Sequence, residues 1–144
     1  MNIKVLVMSL GLTVMAVGCC LHRVDLDVFR QASLSGQINQ YEAAMARDCV
    51  RLDHSLLLDA IAGHGLASVE AMIELLKHPD PNFPLWHAIV VIEFVHFKGT
   101  DLRGHEVLAL LDQIAKSSAD SFTRESAKRA AEDIRSNHVP SSPW

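Results

Sequence analysis

From Val24 to Ile134 apolar side chains return at every third or fourth position, and no stretch keeps up the two-residue alternation of a half-buried strand. This period predicts helices over Asp25–Ser33, Gln37–Leu52, His54–Gly63, Leu66–Lys77, Asn82–Phe97, Arg103–Lys116 and Asp120–Ser136. Between them stand Ser35-Gly36, Gly63-His64-Gly65, His78-Pro79-Asp80-Pro81, Lys98-Gly99-Thr100-Asp101 and Ser117-Ser118-Ala119-Asp120, each combining a helix stop with a capping side chain. Such short connections make neighbouring helices antiparallel, so the expected fold class is all-α. Leu85–Phe97 is apolar on nearly every face over about 20 Å of helix, which predicts the central helix. Ser136 to Trp144 has two prolines and no period, and residues 137–144 are expected to form a flexible tail.

The first 18 residues follow a different pattern. Twelve are apolar, none is acidic, and Lys4 is the one charged side chain. A short positive start followed by the apolar run Val5–Gly18 suits a secretory signal better than a membrane span, which needs about 20 residues. The run ends in Ala16-Val17-Gly18-Cys19, which resembles the lipobox of bacterial lipoproteins, with Ala16 where those most often carry Leu. The resemblance implies that residues 1–18 are removed and that Cys19 becomes the lipidated first residue, anchoring the chain to a membrane. Cys20 follows where Asp often signals inner-membrane retention, which implies an outer-membrane address facing the periplasm. Ala-Val-Gly would also suit ordinary signal peptidase, giving a soluble periplasmic product.

Removing the leader and its lysine from the 144 residues leaves 126, with 12 basic and 17 acidic side chains and a formal charge of −5. That balance argues against nucleic acid or an anionic bilayer as an electrostatic partner. With Cys19 assigned to lipid, Cys20 and Cys49 remain in an oxidising compartment, where they either form a disulfide or stay as separate thiols.

A faint internal period accompanies the helices. A shift of 38 places Val69, Met72, Ile73 and Leu76 over Val107, Leu110, Leu111 and Ile114, and then Ile89 and Ile92 over Ala127 and Ala130. Leu75-Leu76-Lys77-His78-Pro79-Asp80-Pro81 and Arg124-Glu125-Ser126-Ala127-Lys128-Arg129-Ala130-Ala131 resemble the loop and second-helix motifs of the HEAT-repeat family. Trp86 stands where Arg124 aligns, a departure from the family pattern. The resemblance covers about Leu66 to Ile134 and implies antiparallel helix pairs stacked as a short α-α superhelix over residues 36–136, behind a linker and cap helix over 19–35. An irregular helical bundle is the alternative.

Candidate chemistry is sparse. There is no nucleophile elbow, phosphate loop, His-Glu-x-x-His or paired Cys-x-x-Cys, and Asp53-His54-Ser55 are consecutive residues that diverge on a helix. No catalytic residue, cofactor or metal is therefore expected, apart from the covalent lipid. His78, His87, His96 and His105 lie nine apart, which turns His87 and His96 to opposite sides of one helix. Glu93 and His96, three apart in the most apolar helix, remain: Glu93 needs a partner or an opening to water, and His96 is one candidate partner. With Trp86 they would form a polar-aromatic patch for a protein ligand; a metal-binding or enzymatic role of Glu93 and His96 is the alternative. Arg124, Lys128, Arg129 and Arg135 give the last helix a basic side against a more acidic N-terminal half, either steering a partner or forming a solvated face. The expected function is a membrane-anchored, non-catalytic interaction module, an adaptor or immunity-type binder of an envelope or periplasmic protein.

Overall fold

A computed structural model describes residues 24–46 and 54–138. Cys19, Cys20, Cys49 and Trp144 lie outside the described residues, as do the signal segment and most of the C-terminal tail. The described residues are all-α: α1 (Leu26–Gln31), α2 (Leu34–Ala46), α3 (His54–Ala62), α4 (Leu66–Lys77), α5 (Leu85–Phe97), α6 (Val107–Ser117) and α7 (Ser121–Ser136). Among them no single helix is long and apolar enough to cross a membrane.

Helix ends follow local capping chemistry. Asp25 accepts from the Asp27 and Val28 amides to start α1, and Asp120 accepts from the Thr123 amide to start α7. α2 begins before the predicted break at Ser35-Gly36, because Ser33 Oγ accepts from the Gly36 amide at 3.2 Å and carries the glycine into the first turn. α5 begins at Leu85 and not at Asn82, since Asp80 Oδ1 holds the Asn82 amide in a turn and Pro84 precedes the helix. Gly99, at φ 97°, ends that helix in a conformation other residues avoid.

α4 packs extensively on α5, and α6 on α7; with their short connections these are antiparallel pairs. The Arg135–Asp112 ion pair ties the end of α7 to the middle of α6. α5 also packs along α3 on one side and α7 on the other. His54 meets His87 at the starts of α3 and α5, and Asp59 bonds Lys98 at 2.8 Å near their ends, so these two run parallel. Trp86 meets Phe122 at the starts of α5 and α7, and Glu93 meets Arg129 midway, which makes this pair parallel too.

α5 is thus the middle of a three-helix layer, with α4 against it from outside. His87 through His96 are all buried, as the apolar run predicted. Burying each of its Ile, Val and Phe side chains contributes roughly 1.5–3 kcal/mol. Phe29, Leu57, Ile61, Met72, Ile73, Leu111 and Ile134 complete the core around it.

Candidate functional site

Because α3, α5 and α7 run parallel, their N-terminal ends lie together at one edge of the molecule. The side chains there are aromatic and touch in sequence across it. Tyr41 of α2 lies 5.0 Å from Phe83 and 5.6 Å from His87, ring centre to ring centre. His54 lies 5.6 Å from His87, Trp86 is 3.6 Å from His87, and Phe122 meets Trp86 edge-on at 5.3 Å. Burial falls along this row. Tyr41 is fully enclosed and His87 is 2% exposed, Trp86 is half-buried, and Phe122 is 57% exposed. A cleft of about 430 Å³ also involves the start of α5, lined by Leu76, Lys77, Leu85, Leu110, Ile114 and neighbouring polar residues of α6.

At the buried end, one hydroxyl serves two imidazoles. Tyr41 Oη is 2.7 Å from His87 Nδ1 and 3.3 Å from His54 Nδ1. One arrangement gives every proton here an acceptor: His87 Nδ1–H donates to Tyr41, and Tyr41 O–H donates to His54 Nδ1. His87 Nε2 is then a bare lone pair, in accord with its burial without a partner. Burial pushes the His87 imidazole down to about 4, helped by the like charge of His54, and raises the Tyr41 phenol above its ordinary range.

The three residues singled out from the sequence do not form one patch. Glu93 is buried and accepts a two-pronged bond from Arg129, Nε to Oε1 at 3.1 Å and Nη2 to Oε2 at 3.2 Å. Arg129, and not His96, is therefore its partner. Burial still raises the Glu93 carboxyl above its ordinary value, against the opposing bonds and charge of Arg129. His96 is buried, with Nδ1 3.3 Å from the Thr100 carbonyl and Nε2 unpartnered. Trp86 alone of the three reaches solvent. Among the described residues no three His, Cys, Asp or Glu side chains converge as a metal-ligand set.

Three of the four basic side chains of α7 are engaged within the chain. Arg124 donates to the Ser118 and Ala119 carbonyls, Arg129 to Glu93, and Arg135 to Asp112. Sequence reasoning missed Tyr41, His54, Phe83 and Phe122, which sit on four different segments and carry no shared spacing. A usable signal was that His54, Trp86-His87 and Phe122 each occupy the first turn of a helix. Comparison with protein-family models, with curated proteins and with solved structures gives no match.

Proposed function

We propose that this protein is a lipid-anchored, non-catalytic interaction module that presents the aromatic edge of its helical layer to a protein of the cell envelope or periplasm. The observation that carries the reading is the Trp86–Phe122 pair. A Phe that is 57% exposed, braced edge-on by a half-buried Trp on a packed helix, is a preorganised apolar anchor of the kind that dominates protein interfaces. A separate cleft, with Leu76, Leu85, Leu110 and Ile114 among polar neighbours, opens at the residue before Trp86. By contrast Glu93, the buried carboxylate with most apparent chemical promise, has both oxygens engaged by Arg129. The parallel α3–α5–α7 layer, with α4 and α6 outside it, supports the HEAT-like reading of the fold. The lipobox-like Ala16-Val17-Gly18-Cys19 supports the anchor, and Cys20 in place of Asp supports an outer-membrane address facing the periplasm. The partner is either a toxin, in an immunity-type role, or an assembly component, in an adaptor role.

The test is crosslinking and capture of the tethered protein from its own envelope, run in parallel with Phe122→Ala. Phe122 is exposed, so its truncation should leave folding intact while weakening a hot-spot contact roughly tenfold or more. Equal recovery of every captured protein by parent and variant refutes the assignment of the edge. For the anchor, Cys19→Ser should abolish lipid labelling and membrane partition; unchanged partition refutes it.

A further inference from the structure

Among the described residues α2 has a thin hold on the rest of the fold. It packs lightly on α1 and α3, and of its thirteen residues Gln37 and Tyr41 are buried, with Leu34, Ile38 and Met45 partly covered. Gln37 is a weak anchor. Its Nε2 reaches the Arg30 and Ala32 carbonyls at 3.5 Å each, at the end of α1, and its Oε1 is buried without a partner. Among the described residues of α2, Tyr41 is therefore the buried side chain hydrogen-bonded to both α3 and α5, through the hydroxyl shared by His54 and His87.

That fastening depends on a fixed number of protons. Tyr41 can keep its O–H bond to His54 Nδ1 only while His87 Nδ1–H donates to its oxygen, so the hydroxyl is placed by both rings at once. A proton added to His87 Nε2 makes a cation in a site 2% exposed. Among the described residues neither imidazole is ion-paired with a carboxylate. Glu42 on α2 and Asp80 in the 78–84 connection repel each other, a repulsion that acid relieves and that the latch must outweigh, Asp59 of α3 is paired with Lys98, and Asp120 at the start of α7 is held by Thr123. Lys77 at the end of α4 lies between Glu74 and Glu106, Glu93 farther along α5 is taken by Arg129, and the charge acting on His87 is that of His54, of like sign.

We propose that Tyr41, His54 and His87 form an acid-sensitive latch, holding α2 on the fold near neutral pH and releasing it on acidification to widen the aromatic edge around Phe83, His87 and Trp86. The use of that widened edge rests on the interaction reading above, whereas the latch itself requires no partner. Burial that holds His87 near 4, against an ordinary 6.5, supports the direction. The released state takes up protons that the closed state refuses, so acid favours release.

Hydrogen exchange of the full chain tests this without any ligand. Corrected for intrinsic rates, protection of residues 34–46 should fall about tenfold between pH 7.5 and pH 5, while α5 and α7 keep theirs. Replacing both histidines, His54→Gln with His87→Gln, should flatten the response. If the double variant does not fold, His87→Gln alone must reduce it, since the buried imidazole that refuses a proton in the closed state is then gone. Equal α2 protection at both pH values overturns the latch, as does a loss shared by α5, or an undiminished fall in the variants. Capture through Phe122 is read separately, so either proposal can fail alone.

Discussion

Arg129→Ala leaves a carboxylate that is 5% exposed without its counter-ion. Glu93 then either stays charged in the core or takes a proton, and protonation sets a ceiling on the cost. Neutralising at pH 7 a group whose ordinary value is 4.5 costs about 3.4 kcal/mol, at about 1.36 kcal/mol per pH unit. Losing the two bonds from a guanidinium that is 59% exposed and screened by solvent adds roughly 1 kcal/mol, and the parent already bears part of the penalty, because burial outweighs Arg129 and raises the Glu93 value there too. The expected loss at pH 7 is therefore about 2–3 kcal/mol. The sign with pH follows from the raised value. The folded variant binds its proton more readily than the unfolded chain, so its deficit shrinks as pH falls from 7 toward 4.5. At pH 5 the protonation cost is only about 0.7 kcal/mol, and the gap to the parent should close to about 1 kcal/mol. Urea denaturation of parent and variant at both pH values measures this; the titration of His87 is common to the two chains and cancels. A deficit that is equal or larger at pH 5 refutes the reasoning, and so does one below about 1 kcal/mol at pH 7. Leucine at both positions should be neutral or stabilising, since it removes the pair without stranding a charge.

Tyr41→Phe keeps the ring packing and deletes the shared hydroxyl, and should cost about 1–3 kcal/mol by urea denaturation because His87 Nδ1 is left buried and unpaired. Asp120→Ala removes the cap from the Thr123 amide and should cost about 1 kcal/mol, with helicity lost at the start of α7 by hydrogen exchange. Ile92→Ala empties a fully enclosed site at the centre of the layer and should cost about 2–5 kcal/mol in the same urea assay.

The helices and the centre of the fold were legible because they depend on local pattern. Ten consecutive buried residues from His87 to His96 are what an apolar run on every face of α5 implies. The starts of α2 and α5 were not, since they turn on which of several polar side chains wins the cap: Ser33 over Ser35, and Asp80 with Pro84 over Asn82. Burial of Glu93 was equally readable, but its partner was not. Here the faint period both helps and misleads. A shift of 38 pairs positions of like pattern in successive helices, Ile89 with Ala127 and Ile92 with Ala130, whereas the side chains that meet across α5 and α7 are 36 apart, Trp86 with Phe122 and Glu93 with Arg129. Equivalent positions on parallel helices point the same way and so cannot face each other; contact is made between opposing flanks, a fraction of a turn away. A repeat therefore indicates which residues share a role, and the layer geometry is needed to say which ones touch. The Tyr41–His54–His87 cluster lies beyond both, because α2 has no counterpart in the period and its convergence on α3 and α5 exists only once three helices are packed.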